Sequence, residues 1–178
     1  MSGYRKLSRT ASQRKALLRN QVTALLFNGK IVTTEAKAKE VSKIAEGFIA
    51  LAVKERDNFE EVTVKAKIAK KDASGKRVKE VVDGKKQTVY EEVDKKIKKD
   101  LPSRLAARRK MNAFFYPVKE VPKAGKGRKK GTKQIDLAAK MFDEVGPKYA
   151  NRNGGYTRIV KIGQRQGDGA MTVLLELV

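Results

Sequence analysis

Asn151-Arg152-Asn153-Gly154-Gly155-Tyr156-Thr157-Arg158-Ile159 is the stretch on which the reading of this chain turns. Two consecutive glycines let the backbone turn, or let it approach a partner closely. Arg152 and Arg158 flank them, and Tyr156 offers a flat ring and a hydroxyl. From Tyr156 to Ile162 the residues are β-branched or aromatic at most positions, the composition of a strand. A cationic, aromatic-tipped turn that feeds a strand could read a phosphate backbone. A glycine pair before a strand is also a common plain loop. On these residues alone both readings stay open.

Forward of this stretch the strand ends at Gly163, and residues 164–169 make a glycine-rich turn. Met171, Val173, Leu175 and Leu177 then alternate along a last strand running to Val178. The two strands are expected to pair as an antiparallel hairpin, with helices covering the apolar face.

Backward of it, Ile135, Ala138, Phe142 and Val145 line one face of a helix that Thr132 would cap and Gly146-Pro147 would end. Residues 119–133 read as a basic loop carrying Lys126, Arg128, Lys129 and Lys130. It is not a P-loop, because Gly131 is followed by Thr132-Lys133 and no buried strand precedes it. Pro102 suits the first turn of another helix, with Ala107, Met111, Phe114 and Phe115 inward. Arg104, Arg108, Arg109 and Lys110 are expected to form its basic outer face.

Residues 58–100 differ in kind. Residues 62–68 and 78–82 alternate like strands, 87–90 suggest a third, and Asp72-Ala73-Ser74-Gly75 and Asp83-Gly84 are turn signals. Residues 55–100 hold 14 Lys/Arg and 11 Asp/Glu, a net of +3, which leaves +19 of the chain's +22 to the remainder. A nearly balanced segment within a basic chain is expected to be an insertion that takes no part in polyanion contact.

Nearer the N-terminus, Val41, Ile44, Ala45, Phe48, Ile49 and Ala52 form the stripe of a helix that Thr33 or Thr34 would cap. Lys37 and Lys39 lie in its first turns, where phosphate contact and a solvated face are both open readings. Ile31-Val32-Thr33 reads as a short extended link. Residues 11–28 read as a helix with Leu18, Val22, Leu25 and Leu26 inward, Arg14, Lys15 and Arg19 on other faces, and Asn28-Gly29 as its stop. Residues 1–10, with Tyr4, Arg5, Lys6 and Arg9, read as a basic arm that orders against nucleic acid.

The expected fold is α+β in two layers. About four helices pack on a small sheet with a C-terminal antiparallel hairpin, and an inserted β-hairpin segment is added. The expected organisation is an arm at 1–10, one core from 11–57 and 101–178 that includes the loop at 119–133, and a β-rich insertion at 58–100.

The charge bounds the function. Forty-two basic against 20 acidic residues in a chain of 178 call for a polyanionic partner, nucleic acid before an acidic membrane surface. There is no Cys and no His, which removes disulfides, thiolate metal sites and the commonest general base. The remaining carboxylate groupings, Glu60-Glu61, Glu91-Glu92-Asp94 and Asp143-Glu144, read as solvated charged faces, so no catalytic site, metal or cofactor is expected. The apolar runs are too short to span a bilayer, the N-terminus has no apolar run, and a cytoplasmic location is expected.

Three passages carry a resemblance. They are Arg5-Lys6-Leu7-Ser8-Arg9-Thr10-Ala11-Ser12-Gln13-Arg14-Lys15-Ala16-Leu17-Leu18-Arg19-Asn20; Ile31-Val32-Thr33-Thr34-Glu35-Ala36-Lys37-Ala38-Lys39-Glu40; and Leu137-Ala138-Ala139-Lys140-Met141-Phe142-Asp143-Glu144 with Asn153-Gly154-Gly155-Tyr156-Thr157-Arg158-Ile159 and Gly167-Asp168. In this order, over residues 4–57 and about 101–178, the chain resembles the family of bacterial large-subunit ribosomal protein seventeen. The resemblance implies a small protein of helices over a short sheet. It also implies binding to large-subunit ribosomal RNA on the solvent side, towards the peptide exit, beside neighbouring large-subunit proteins. The segments near 58–100 and 119–131 are longer than in short family members, and Tyr4 and Gln13 stand where histidines are common.

The expected function is therefore structural: stabilising large-subunit ribosomal RNA through a distributed basic surface, with no membrane and no small-molecule substrate as partner. The expected contacts are Tyr4, Arg5, Lys6, Arg9, Arg14, Lys15, Arg19, Lys37, Lys39, Arg104, Arg108, Arg109, Lys126, Arg128, Lys129, Lys130, Arg152, Asn153, Tyr156 and Arg158. Tyr4 and Tyr156 could stack on unpaired bases or pack in the protein. A DNA-binding architectural protein is the alternative that charge allows, although no helix-turn-helix or zinc-finger signature supports it.

Overall fold

The computed structural model describes residues 5–82, 85–121 and 131–178. The first helix, α1, spans Ala11–Asn28. Its start is marked by Gln13, whose side-chain oxygen accepts from the Thr10 backbone N–H at 3.4 Å, one half of a capping box. Its end is Gly29, left-handed at φ 80°, whose N–H returns to the Leu25 carbonyl at 2.8 Å. Val22, Leu25 and Leu26 are buried, as their spacing predicts.

The expected link at Ile31 is instead a strand. β1 (Lys30–Thr34) pairs antiparallel with the last strand of the chain, Ile31 opposite Leu175 and Thr33 opposite Val173. Five residues ending in a helix give too little alternation to reveal a strand, and the partner lies far off in sequence. α2 (Glu35–Glu55) follows at once. Thr34 occupies its N-cap position, yet neither threonine caps it. Thr34 makes no side-chain cap bond, and the Thr33 hydroxyl accepts from Gln21 Nε2 at 3.0 Å. Glu35 supplies the favourable charge of the first turn.

The C-terminal strands form the expected hairpin. Numbered in chain order after six strands described below, β8 (Thr157–Gln164) and β9 (Met171–Leu177) pair antiparallel, with a bulge between Lys161 and Gly163. With β1 added the sheet has the order β1-β9-β8, so the last strand is central. Val173 and Leu175 are fully buried from its inner side. They meet Val41, Ala45 and Ile49 of α2 and Leu25 of α1 in one core cluster. Each Val, Leu or Ile among them contributes about 1.5–3 kcal/mol.

α3 (Pro102–Phe114) adds Ala107, Met111 and Phe115 to that core, and the Phe48, Phe114 and Phe115 rings pack together. The stretch after it departs from expectation at both ends. β6 (Val118–Glu120) and β7 (Lys133–Ile135) pair, so the described ends of the expected loop form a short ribbon. Asp136, not Thr132, caps the next helix, accepting from the Ala139 N–H at 3.1 Å. This helix runs as α4 (Leu137–Lys140), a π turn (Met141–Val145) and α5 (Gly146–Lys148). Gly146-Pro147 does not end it. The wider π turn lets the Gly146 N–H reach the Met141 carbonyl, and Pro147 opens a fresh turn where a missing N–H costs least. Glycine suits a close approach at 146: a Cβ there would stand 3.1 Å from Arg56 Cβ and 3.2 Å from the Ala52 carbonyl oxygen of α2, tight enough that these neighbours would have to give.

Contacts divide the chain into two compact units, one reaching to Asn58 and resuming at Pro102, the other Phe59–Leu101. The first unit closes on itself where the second leaves and returns. Ser103 Oγ donates to Glu55 at 2.7 Å, Asn58 Nδ2 donates to the same carboxylate at 3.0 Å, and Asn58 also donates to Ser103. Those hydrogen bonds, Asn58's before Ser103's, hold the buried Glu55 carboxyl below its ordinary 4.5 against the opposing effect of burial. A carboxyl lowered on folding stabilises the fold above about pH 4.5, and that contribution is lost as pH falls through the lower folded value. Glu55→Gln should therefore flatten the acid limb of stability. Urea midpoints at pH 6 and pH 3 that differ as much as in the parent would contradict this.

In the second unit β2 (Phe59–Ala69) pairs over its whole length with β5 (Tyr90–Asp100), while β3 (Lys79–Val82) pairs with β4 (Lys85–Thr88). Asp72 ties its turn by accepting from the Ser74 hydroxyl and the Lys76 N–H, both at 2.8 Å. The expected Asp83-Gly84 turn lies outside the described residues. The expected third strand at 87–90 is corrected to two, β4 and the longer β5. That strand is exposed almost throughout and so carries no apolar alternation. Its signal lies across the ladder instead: Glu60 faces Lys99, Glu61 faces Lys98, Lys65 faces Asp94 and Lys67 faces Glu92.

Candidate nucleic-acid interface

The N-terminal half of α1, the start of α2 and the β8–β9 turn each present cations, and the fold brings them to neighbouring depressions of the first unit. Arg14 and Lys15 of α1 and Lys43 of α2 line one, together with Arg5. Arg5 also lines a second, with Lys37 and Lys39 of α2 and Arg165 of the β8–β9 turn. Arg5 thus joins the two into a band of seven cations. The first turn of α2 adds the positive end of a 21-residue helix.

Several of these cations have acidic neighbours. Lys39 pairs with Glu35 at 2.7 Å, Arg165 with Asp168 at 2.5 Å, and Arg5 stands 3.9 Å from Glu40. Asp168 is held down to about 2, chiefly by the Arg165 hydrogen bond and then by the Ala170 N–H. It stays ionised throughout the neutral range. The Lys39–Glu35 and Arg165–Asp168 pairs are exposed to solvent and contribute little to stability. They orient the basic side chains without preventing exchange onto phosphate.

The expected basic face of α3 is only half present. Arg109 and Lys110 are exposed. Arg104 is 2% exposed: it donates to the Arg56 carbonyl at 3.0 Å and lies 4.6 Å from the centre of the Phe142 ring. Arg108 is half-buried, 5.4 Å from the same ring and 3.3 Å from Asp136. Arg19 of α1 is likewise structural. It donates to the Phe114 and Ala113 carbonyls and lies 4.4 Å from the Tyr116 ring centre, closing the C-terminal end of α3. A guanidinium provides the several donors that the last carbonyls of a helix lack.

The glycine turn is a turn and not a close approach within the chain. Gly154 and Gly155 have φ of 135° and 58°, and a Cβ on either would meet nothing within 4 Å. Of the two open readings of Tyr156, packing in the protein is the one observed, so it is removed from the expected RNA contacts. It is 5% exposed, packs edge-on against Tyr149, and donates to the Arg152 carbonyl at 2.9 Å. Arg158 makes two hydrogen bonds to Glu176 on the neighbouring strand. Arg152 and Asn153 remain exposed. Arg9 and Lys6 are exposed as well. Tyr4, Lys126, Arg128, Lys129 and Lys130 lie outside the described residues.

Residues 17–178 match the family model described as Ribosomal protein L17. The chain is 71% identical to the "Large ribosomal subunit protein bL17" of Lachnospira eligens over 178 residues, all of both chains. It is 48% identical to the protein of that name from Acetivibrio thermocellus, again over all of both chains. For the Leuconostoc citreum protein of that name the identity is 39% over 98% of each chain. The chain belongs to the ribosomal protein L17 family. These L17 relatives are named for a ribosomal subunit and not for a reaction. Their matches run across the second unit too, so the long middle segment is shared with them. Among the described residues of this L17-family chain no group of carboxylates could hold a metal ion, and no helix is long and apolar enough to cross a membrane.

Sequence reasoning missed Lys43 and Arg165 as members of the basic band. Lys43 lies two turns beyond Glu35 on a helix read for its apolar stripe. The available signal was its spacing: Lys39 and Lys43 are four apart and share a face. Arg165 had no local signal, since only the hairpin brings it beside α2.

Proposed function

We propose that this chain is a structural component of the large ribosomal subunit that binds and stabilises large-subunit ribosomal RNA through the basic band. The observation that carries this is the convergence of Arg5, Arg14, Lys15, Lys37, Lys39, Lys43 and Arg165 on adjoining depressions of one unit. Each neutralised phosphate releases counterions, and distributed cations fix register on the RNA without reading sequence. Arg9, Lys6, Arg109, Lys110, Arg152, Asn153 and the segment with Lys126, Arg128, Lys129 and Lys130 extend the footprint. Arg104, Arg19 and Tyr156 serve the fold instead, because each donates to a backbone carbonyl within the chain. Membership of the L17 family and the names of the relatives support this reading. In lysate the chain should sediment with large subunits through a moderate-salt gradient, and Lys15→Glu with Lys43→Glu should shift it to the free fraction. Sedimentation with duplex DNA instead of large subunits would overturn it.

Residues 58–100 serve as an insertion outside this RNA contact. Their charge is nearly balanced, four of the lysines in the β2–β5 ladder (Lys65, Lys67, Lys98 and Lys99) already face carboxylates, and Phe59 and Asp100 are direct partners at the base of the ladder. Ends that already meet can be joined by a short linker at small entropic difference, since closure grows only with the logarithm of loop length. With residues 60–98 replaced by a short Gly/Ser linker, the chain should keep its helical circular-dichroism signal and its affinity for large-subunit RNA within about threefold. Unfolding, or a tenfold weaker complex, would show that the segment belongs to the core or to the binding face.

A further inference from the structure

The groove between the N-terminal half of α1 and the middle of α2 has features that phosphate contact alone does not require. It has a volume of about 530 Å³, within the roughly 300–1,000 Å³ typical of ligand sites. Its floor is apolar, formed by half-buried Leu18, Ile44 and Phe114. Its rim carries Arg14, Lys15 and Lys43. Among these cations sits one carboxylate, Glu40, only 8% exposed. Arg5 Nε stands 3.9 Å from it, an ion-pair distance longer than a hydrogen bond.

A phosphate chain gains nothing from an aliphatic and aromatic floor, and a buried carboxylate repels it. A nucleotide explains all three features at once. Its base has a flat apolar face for the floor, its phosphates meet the rim, and its edge carries N–H donors for a carboxylate. Single-stranded RNA is recognised in this way, by extruded bases laid on apolar surfaces and bonded along their edges. We propose that this groove receives the base of one unpaired nucleotide of the bound RNA, with Glu40 accepting from its edge and the rim cations holding its phosphates. Guanine is the preferred base. Its ring N–H and exocyclic amino group point the same way and match the two oxygens of a carboxylate. Uracil offers one N–H between two carbonyls, which a carboxylate opposes. The inference rests on the RNA-binding function proposed above and adds a specific site to it.

Four RNA hairpins that differ only in one bulged nucleotide, G, A, C or U, test it with the full-length chain. The bulged-G hairpin should bind about tenfold more tightly than the bulged-U hairpin, the scale of one bidentate base contact. Glu40→Gln, checked by thermal melting to be folded, should reduce that ratio to about twofold or less, by weakening bulged-G binding and without weakening bulged-U binding. Equal, tight binding of all four hairpins by the parent would overturn the base site while leaving RNA binding intact. Failure to bind any hairpin, or any large-subunit RNA, would remove both. A photoreactive residue at position 43 in assembled large subunits provides an independent reading. Attachment to RNA supports the proposal, whereas attachment to an acidic segment of a neighbouring protein overturns it.

Discussion

Between 50 and 200 mM monovalent salt the affinity of the full-length chain for large-subunit RNA will fall by at least about a thousandfold. A slope of about 0.7–0.9 log units per log salt is expected for each phosphate neutralised. Seven cations share the band formed by α1, the arm, α2 and the β8–β9 turn. Together they give a log–log slope of about −5 to −6. Their pairs with Glu35 and Asp168 lie at the surface and exchange onto phosphate at little cost. Replacing Lys15 and Lys43 together by Gln should reduce the steepness by roughly 1.4–1.8, and Lys98→Gln in the second unit should leave it unchanged. Fluorescence anisotropy across a salt series reads both numbers. A slope of magnitude one or two in the parent would mean that most of the band does not touch RNA.

How much of this was legible in the sequence depended on where each residue's partner lies. The helices α1, α2 and α3 and the β8–β9 hairpin announced themselves because burial writes a period into the chain: Val22, Leu25 and Leu26 in one case, Val173 and Leu175 in another. β1 was hidden because its partner, β9, lies at the far end of the chain. β5 was hidden because a ribbon exposed on both faces needs no apolar alternation. Its charges answer those of β2, and that pattern is visible only once the register is known. Gly146-Pro147 looked like a helix end because the pair usually is one. Here the glycine answers a close approach to Ala52 and Arg56 that no local rule contains.

The candidate interface was legible in outline and misleading in detail for a related reason. Lys and Arg at helical spacing look alike whether they face solvent or a ring. Lys cannot readily be buried, so Lys15, Lys37, Lys39 and Lys43 remained available. Arg can be buried when carbonyls and rings receive its flat, weakly hydrated head. Arg104 and Arg19 are used in that way. Composition therefore overstated the candidate basic surface where the fold lays an arginine against carbonyls and a ring of a distant segment.

Arg104 supplies the sharpest test of that distinction. It is among the largest fully buried side chains, and its guanidinium joins three elements. It donates to the Arg56 carbonyl beyond the end of α2, covers Phe142 in the π turn, and lies 4.0 Å from Asp143. Arg104→Ala would remove a desolvated cation–π contact worth about 2 kcal/mol. It would also leave a part-buried carbonyl without its donor, at about 1 kcal/mol, and a void where the stem packed. These terms overlap, and the expected loss is about 3 kcal/mol, or on the order of 10 °C in Tm for a chain of this size. Arg104→Met would recover the stem packing and part of the loss, but not the donor. Arg109→Ala, one turn on and exposed, should melt within about 2 °C of the parent, as surface substitutions do. If Arg104→Ala instead melts with the parent and weakens RNA binding as Lys15→Gln does, Arg104 is a phosphate contact after all and its burial against Phe142 contributes nothing to the fold.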